Sequence, residues 1–409
     1  MTGLDEKKEA YILVAVGSEE DTRISLGELA DLLETAGGTA IDQVTQNLPH
    51  PDAATYIGRG KAEELRWIVE EEGAVGIVCD DELSPAQMKN LSDLLETKVL
   101  DRTLLILDIF ATHATTKEGK LQVEMAQLKY RASHLAGMGK ALSRLGGGIG
   151  TRGPGETKLE TDRRVIKSRI ATLSTAIKDM KRVRETTRKQ RMESALPTMA
   201  LVGYTNSGKS TFLNFLTGSD VLSEDKLFAT LDPTTRGFDM GNGQKILLTD
   251  TVGFINKLPH HLIDAFRSTL EEAQYADILI HIVDSADPEA DHHCKVVYDT
   301  LSDLKITGKP ILTVWNKCDL PESGEILRDP RADLSVRFSA KTGKGKEALF
   351  AALDKLLKEN RVHIHTVIPY RDAGRLALIR QYGQLLSEEY VSDGIEIDAY
   401  VPKGMARKK

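Results

Sequence analysis

The chain has 409 residues, of which 41% are hydrophobic and 28% are charged, and its formal net charge is −7. This length exceeds one ordinary core, so we expect two to four domains. The composition is that of a soluble globular protein, and the absence of an apolar run of about 18 residues excludes a membrane span. The three cysteines lack paired or metal-ligand spacing and the charged start carries no signal region, so we expect a cytoplasmic protein.

The first part of the chain alternates between strand and helix patterns. The order is strand (11–16), helix (to about 37), strand (39–48), helix (61–73), strand (74–80) and helix (84–96). Ser84 is a suitable N-cap and Pro85 suits the first helical position. This alternation predicts a parallel α/β domain over residues 1–116. Its single G-x-G-K, at residues 58–61, is interpreted as a plain strand-to-helix turn.

From Glu118 the apolar spacing changes to three and four residues. One run comprises Leu121, Met125, Leu128, Ala132 and Leu135, and a second comprises Ile166, Ile170, Leu173, Ile177 and Met180. Two such seams predict an antiparallel helical hairpin with coiled-coil packing over residues 117–194. Its tip is the stretch LGGGIGTRGPGETKLETDRR (145–164), which lacks the G-x-x-x-x-G-K-[ST] spacing of a nucleotide loop.

The second helix of this hairpin is strongly basic. Between Lys158 and Arg191 the sequence has twelve basic and four acidic residues, although the whole chain is acidic. A charge run is often only a solvated face, but the excess charge here is strongly positive and the run adjoins a glycine-rich tip, which favours a phosphate-rich partner. We therefore predict RNA contacts by Arg152, Lys158, Arg163 and Arg164.

A second α/β pattern begins after Pro197. The stretch GYTNSGKST (203–211) follows an apolar strand and opens a helix, as a phosphate-binding loop does. Lys209 would reach the β- and γ-phosphates, and Ser210 would bind magnesium. The following segment LFATLDPTTRG offers Thr230, Thr234 and Thr235 as candidates for the threonine that senses the γ-phosphate.

Three more motifs follow in the order of a guanine-nucleotide switch. Asp250 ends a strand in KILLTDTVGF, where it would hold magnesium through water while the amide of Gly253 meets the γ-phosphate. Asn316, Lys317 and Asp319 end another strand in NKCD. The carboxylate of Asp319 would accept hydrogen bonds from two N–H groups that guanine has and adenine lacks, which favours GTP over ATP.

The last motif is SAKTG, in which Ser339, Ala340 and Lys341 would close over the base. Four ordered motifs at strand ends predict a P-loop GTPase domain over residues 197–361 rather than a structural domain with coincidental loops. Residues 362–409 indicate a small α+β domain with a frayed basic tail. The doublets His260–His261 and His292–His293 are interpreted as surface histidines rather than metal ligands, because adjacent helical side chains diverge.

These motifs resemble those of the HflX GTPases, which are grouped with the Obg proteins among translation-associated GTPases. The likeness covers nearly the whole chain and rests on GGGIGTRGPGETKLETDRR, GYTNSGKST, FATLDPT, DTVGFI and NKCD. It implies Thr230 as the switch threonine and residues 228–232 beside the nucleotide. The predicted catalytic residues are then Lys209, Thr230 and Gly253, and the predicted magnesium ligands are Ser210, Thr230 and Asp250.

The complete predicted nucleotide site combines the motifs with the resemblance. It comprises Gly203, Tyr204, Thr205, Asn206, Ser207, Gly208, Lys209, Ser210, Thr211, Phe228, Ala229, Thr230, Leu231, Asp232, Asp250, Thr251, Val252, Gly253, Asn316, Lys317, Asp319, Ser339, Ala340 and Lys341. GTP or GDP and Mg²⁺ are the predicted ligands. Asn206 also matches a residue that helps to coordinate potassium in related GTPases, so K⁺ is a second candidate cofactor.

The resemblance implies a cytoplasmic factor that binds the large ribosomal subunit through its first domain and hairpin, with the tip reaching ribosomal RNA. In this family the GTP-bound protein splits stalled ribosomes, often under heat or antibiotic stress, and hydrolysis releases it. Some members also use ATP, and RNA unwinding is attributed to some. We expect a monomer with no membrane span.

One position differs from the corresponding position of simpler GTPase switches. Phe254 stands where Ras-like enzymes carry the glutamine that orients the attacking water, so we expect slow intrinsic hydrolysis that needs a contribution from the partner. Two alternative functions stay open. One is an RNA- or ribosome-binding module that uses GTP only as an ordering ligand, and the other is an ATP-dependent RNA remodeller, which Asp319 disfavours.

Overall fold

The computed structural model describes residues 8–145, 154–193, 196–218, 227–228, 231–241, 244–259, 270–320 and 328–401. The chain divides into two compact units. The first comprises Met1–Met180, Lys226–Phe228 and Asn256–Phe266, and the second comprises Lys181–Asp225, Ala229–Ile255 and Arg267–Lys409. Parallel sheets with helical connections confirm the predicted α/β class. Among the described residues, none of the helices combines the length and apolarity needed to cross a membrane.

The amino-terminal α/β part consists of eight elements. They are β1 (Ala10–Val16), α1 (Glu19–Thr35), β2 (Thr39–Gln46), α2 (Arg59–Glu72), β3 (Gly76–Cys79), α3 (Pro85–Leu95), β4 (Lys98–Asp101) and α4 (Arg102–His113). The strands form a parallel sheet in the order β2-β1-β3-β4. Ser84 caps α3 in a capping box with Gln87, and Pro85 opens the helix, as predicted. The carboxyl ends of β3 and β4 carry Asp80 and Asp101, both fully buried.

Two long helices follow, α5 (Lys117–Leu145) and α6 (Pro154–Glu193). Arg169 of α6 donates to both carboxylate oxygens of Glu124 of α5, at 2.7 and 3.0 Å. The buried residues of α5 differ from the predicted seam, whose members on this helix are only half-buried. They include Val123, Ala126, Tyr130 and His134, and α5 packs against α3 and α4.

The second unit contains a six-stranded sheet. Its elements are β5 (Thr198–Val202), α7 (Lys209–Thr217), β6 (Thr234–Asp239), β7 (Lys245–Asp250), β8 (Ile278–Asp284), α8 (Ala290–Asp303), β9 (Ile311–Asn316), β10 (Leu334–Arg337) and α9 (Lys346–Glu359). The strand order is β10-β9-β8-β5-β7-β6, and only β6 runs antiparallel to its neighbour. Apolar residues of β5, β7, β8 and β9 form one core with α7 and α9. The carboxyl ends of these parallel strands therefore meet at one edge.

The chain continues into a three-stranded antiparallel sheet. It consists of β11 (Val362–Ile368), β12 (Gln384–Val391) and β13 (Gly394–Val401), with α10 (Ala373–Tyr382) between β11 and β12. Apolar residues of α10 and β13 form its core. The sequence pattern predicted the first strand, the helix and the last strand but not β12. The basic tail at 403–409 lies outside the described residues, and the domain boundaries drawn from sequence stay predictions.

Candidate nucleotide-binding site

The loop between β5 and α7 has a backbone that only particular residues tolerate. Gly208 has a φ of +92°, and a Cβ there would overlap the Nδ2 of Asn316. A Cβ on Gly203, whose φ is +156°, would overlap the carbonyl oxygen of Ile282. The two glycines of the predicted phosphate loop therefore let the chain pass close to β8 and β9. Between them Asn206, an exposed residue, also has a positive φ of +59°.

Lys209, the first residue of α7, is buried in this loop. Its Nζ donates to the carbonyl oxygens of Gly203 at 3.1 Å and Tyr204 at 2.6 Å. Burial lowers the pKa of Lys209 to about 8, against the opposing attraction of Asp250. The next residue, Ser210, donates its hydroxyl to Oδ2 of Asp250 at 2.8 Å. The structure thus brings the predicted phosphate lysine and two predicted magnesium ligands to one place.

Two hydroxyls of the same loop are buried without a hydrogen-bond partner in the part of the chain that the structure describes. They are Oγ1 of Thr205 and Oγ of Ser207. A buried polar atom left unsatisfied costs about 1–3 kcal/mol, so such atoms mark a place where a polar ligand is favourable. Ser210 and Asp250 supply hard oxygen donors 2.8 Å apart, which suits magnesium. The residues present therefore fit a phosphate with its metal ion.

The segment after β7 pairs with the phosphate loop through its backbone. Thr205 N donates to the carbonyl of Phe254 at 2.8 Å, and Phe254 N donates to the carbonyl of Gly203 at 3.0 Å. Gly253 lies so close that a Cβ would stand 2.8 Å from Thr205 Cγ2 and 3.0 Å from Lys209 Nζ. Phe254 is only 1% exposed, so its ring packs in the interior. The two segments form one continuous structure around Lys209.

Asn316 joins three of the predicted motifs. Its Nδ2 donates to the carbonyl of Ser207 at 2.9 Å, and its Oδ1 accepts from Ala340 N at 3.0 Å. Its own carbonyl accepts from the hydroxyl of Ser285 at 2.6 Å. The next residue, Lys317, forms an ion pair of 2.7 Å with Asp284. The asparagine thereby fixes the phosphate loop and the base-binding loops to each other.

Asp319 is exposed beside this arrangement. The hydroxyl of Ser339 donates to its carboxylate and holds the pKa of Asp319 below its usual value. The carboxylate is therefore ionised at neutral pH and able to accept hydrogen bonds from a guanine. Ser339 and Ala340 are buried, whereas Lys341 is exposed.

The segment that carries the candidate threonines is described only in part. Ala229 and Thr230 lie outside the described residues, as does Arg152, and the side chain of Lys158 is not described. The two other candidate threonines begin strand β6, where Thr235 shares a hydrogen bond of 2.9 Å with Thr249. Arg163 is half-buried and Arg164 is exposed on α6.

Phe228 belongs to the first unit rather than to the second. Its ring meets that of Phe110 of α4 edge-on, with centroids 4.6 Å apart, and it has a positive φ of +57°. Lys257, in the other short segment of the first unit, forms ion pairs with Asp80 and Asp81. Phe228 and Lys257, which lie next to two nucleotide motifs, thus contact residues of the amino-terminal part. The sequence did not predict these contacts.

His293 is a second residue that sequence reasoning missed. Its side chain is 18% exposed, so it is partly buried at the surface rather than freely exposed. The ring stacks on that of Tyr204, with centroids 3.8 Å apart and planes inclined by 16°. The doublet at 260–261 lies outside the described residues. Within the described ranges, no group of three or more His, Cys, Asp or Glu residues is arranged to hold a metal ion.

Three family models match the chain in succession. One described as GTP-binding GTPase N-terminal matches residues 23–111, one described as GTP-binding GTPase Middle Region matches 113–191, and one described as 50S ribosome-binding GTPase matches 198–317. A GTPase HflX of Lacrimispora saccharolytica is 56% identical over 98% of this chain and 95% of its own length. The chain belongs to the HflX GTPase family. A GTPase HflX of Escherichia coli K12 is 40% identical over 96% of this chain and 90% of its own length.

Membership of the HflX family confirms the resemblance drawn from the motifs, and the protein is a GTPase. Among solved structures, a GTP-binding protein of the archaeon Sulfolobus solfataricus in complex with GDP is 27% identical. That match covers 85% of this chain and 98% of the other, with a TM-score of 0.44.

Proposed function

We propose that this HflX-family GTPase binds the large ribosomal subunit and dissociates stalled or idle ribosomes under stress, acting in the cytoplasm as a monomer. The observation that carries the proposal is the basic surface of helix α6. The nucleotide domain of the same chain matches a family described as 50S ribosome-binding GTPase. Arg164, Lys167, Lys178 and Arg182 are all exposed on this helix. Exposed cations along one helix suit the phosphates of structured RNA.

The nucleotide would bind with its phosphates in the loop from Gly203 to Ser210. Lys209 would exchange the carbonyls of Gly203 and Tyr204 for the β- and γ-phosphates, since an ammonium binds anionic oxygens more strongly than neutral ones. The unsatisfied hydroxyls of Thr205 and Ser207 would gain acceptors or donors at the same time. Lys209, Gly253 and Thr230 are the residues we assign to the reacting phosphate.

Ser210 and Asp250 would hold Mg²⁺, Asp250 through water, together with Thr230 and phosphate oxygens. The ion would neutralise charge that develops between the β- and γ-phosphates during hydrolysis. On the base side, Asp319 would accept from guanine, while Asn316 keeps the base loop fixed to the phosphate loop. Potassium at Asn206 remains a separate proposal, and equal GTP turnover in sodium and potassium buffers would refute it.

Slow hydrolysis in the absence of the ribosome follows from Phe254. Its ring is buried and its backbone is bonded to the phosphate loop, so it offers no polar atom with which to orient the attacking water. The ribosome would supply the missing contribution and so time the release of the factor. This same observation supports the second candidate function, a binding module for which GTP is only an ordering ligand.

The deciding experiment measures GTP turnover with and without purified large ribosomal subunits, at low and at high salt. We expect strong stimulation that fades as salt rises, because binding through several phosphates releases counterions. A charge reversal of Arg163 and Arg164 to Glu should weaken the stimulation. The matched control reverses two exposed cations of the carboxyl-terminal part, Lys355 and Arg371, and should leave it unchanged.

Splitting itself is measured by sedimentation of 70S ribosomes with the factor and a non-hydrolysable GTP analogue. Release of free subunits supports the proposed function, and unchanged 70S ribosomes contradict it. A variant that binds GTP without hydrolysing it should stay trapped on the large subunit if hydrolysis drives release. Normal release of such a variant would favour the binding module.

A further inference from the structure

A histidine outside all nucleotide motifs supports the phosphate loop from one side. Tyr204, the second residue of that loop, is buried, and its ring stacks face to face on His293 at 3.8 Å between centroids. His293 lies in the first turn of α8. We propose that His293 is a positioning residue of the GTPase, which holds the phosphate loop in its nucleotide-binding shape through the ring of Tyr204.

The His293 ring is itself oriented by a carboxylate. Nδ1 of His293 lies 3.0 Å from Oδ2 of Asp287. The other oxygen of Asp287 accepts from Glu289 N at 2.9 Å, which fixes the carboxylate at the start of α8. Burial would raise the pKa of Asp287, but the hydrogen bonds from His293 and Glu289 N, together with the charge of Lys317, outweigh it and keep this pKa below its usual value. An ionised Asp287 thus holds the imidazole against the tyrosine.

Tyr204 transmits this position to the atoms that meet the phosphates. Its carbonyl accepts from Nζ of Lys209 at 2.6 Å, and it forms a parallel bridge with Phe254. The next amide, Thr205 N, donates to Phe254 O. A shift of the Tyr204 ring would therefore displace the backbone of the phosphate loop, on which the phosphates of GTP and GDP would bind.

The stack should act equally on the bound nucleotide and on its transition state, because Tyr204 belongs to the loop and not to the reacting groups. Loss of such uniform binding raises KM and leaves kcat unchanged. An aromatic stack of this kind corresponds to roughly a twofold to tenfold change in an equilibrium constant. The inference rests on the nucleotide role proposed above for residues 203–210.

The experiment compares His293→Ala with His293→Phe in the full chain. For each variant, KM and kcat for GTP, the Kd of GDP and the thermal midpoint are measured. We expect His293→Ala to raise KM and the Kd of GDP by roughly twofold to tenfold with kcat unchanged. His293→Phe, which keeps a stacking ring but loses the bond to Asp287, should recover most of the affinity.

His292→Ala is the matched control, because His292 is the neighbouring histidine on α8 and its ring meets His293 edge-on at 6.1 Å. It should bind nucleotide like the unaltered protein. The proposal is overturned if His293→Ala binds normally, if His293→Phe is as weak as His293→Ala, or if His292→Ala is equally weak. Lys209→Ala tests the nucleotide site itself: if that variant also binds GTP normally, the proposed site fails and not merely the role of His293.

Discussion

Two buried aspartates at the ends of adjacent strands have pKa values shifted in opposite directions by their surroundings. Asp80, after β3, pairs with Arg102 at 2.9 Å and with Lys257, and accepts from Ser25 at 2.6 Å. Burial opposes its ionisation, but the two cations outweigh burial and lower the pKa of Asp80. Asp101 ends β4 and accepts hydrogen bonds from Leu83 N, Leu104 N and the hydroxyl of Tyr130. Burial dominates there and raises the pKa of Asp101.

We expect Asp80→Asn to destabilise the first unit far more than Asp101→Asn does. The first substitution removes the charge of Asp80 from beside Arg102, which is 1% exposed and keeps its ion pair with Glu28, and breaking a buried ion pair costs about 3–5 kcal/mol. The second removes a charge that burial already disfavours and disturbs hydrogen bonds worth about 1–2 kcal/mol. Hydrogen exchange of the β1 and β3 amides in the full chain measures both losses. Equal losses would contradict this view of the two sites.

The same two residues predict opposite responses to acid. Because the folded pKa of Asp80 lies below its unfolded value, its contribution is complete above the unfolded value, about pH 4, and is lost as pH falls through the folded pKa. The folded pKa of Asp101 is raised, so its contribution is complete below about pH 4 and is lost as pH rises through the folded pKa. Acid unfolding should therefore be less steep in Asp80→Asn than in the unaltered chain. Equal steepness would mean that Asp80 does not contribute to acid sensitivity.

At the scale of elements, the sequence predicted helices and loops correctly where one short stretch contains the whole motif. The spacing of GYTNSGKST predicted a strand, a loop and a helix, and Ser84 with Pro85 predicted the start of α3. The buried face of α5 was not predicted, because Tyr130 and His134 have polar atoms that bond to Asp101 and to the Leu83 carbonyl. Those partners come from other elements, and no helical periodicity reveals them.

In the nucleotide site, too, the sequence predicted the local motifs but not the contacts between distant parts of the chain. Its motifs could be predicted because each phosphate or base contact depends on a short sequence. The support of the loop by His293 could not, since Tyr204 lies on a distant part of the chain and a stacked pair leaves no spacing signal. Strand β12 was missed because QLLSEEYV lacks clean alternation, and its pairing with β13 includes an irregularity between Leu385 and Ser387.

The two glycines that flank α7 allow the effect of backbone strain to be distinguished from that of steric overlap. Gly208 and Gly218 both have positive φ, +92° and +64°, but a Cβ would overlap Asn316 only at Gly208 and would meet nothing within 4 Å at Gly218. We expect Gly218→Ala to cost about 1 kcal/mol of stability while GTP still binds. Gly208→Ala should weaken GTP binding by about tenfold or more, because Asn316 must move away from the phosphate loop. Isothermal titration with GDP measures the nucleotide affinity of both variants. Equal affinities would show that backbone strain, and not overlap with Asn316, determines the effect of the substitution at Gly208.

On the scale of the whole molecule, the compact units do not follow the sequence domains. Phe228 and Lys257 lie within the span assigned to the GTPase domain, yet both belong to the first unit. Each stands next to a nucleotide motif: Phe228 precedes the candidate threonine Thr230, and Lys257 follows Gly253 along the chain. Only Phe254, Ile255 and Asn256 separate Gly253 from Lys257, and the first two of them are buried. Movement of Gly253 toward a γ-phosphate would therefore pull on Lys257.

This connection predicts that GTP alters the protection of the first unit through Lys257. The carbonyl of Asn256 also accepts from Arg102, so the segment bonds to the same residues that hold Asp80. In the unaltered protein, a non-hydrolysable GTP analogue should change hydrogen exchange around Asp80 relative to GDP. Lys257→Met, which keeps the length of the side chain without its charge, should abolish most of that difference. Lys61→Met is the control, since Lys61 pairs only with Glu64 among the described ion pairs, within helix α2. A nucleotide-dependent difference that persists in Lys257→Met would show that the ion pairs with Asp80 and Asp81 do not transmit the nucleotide state.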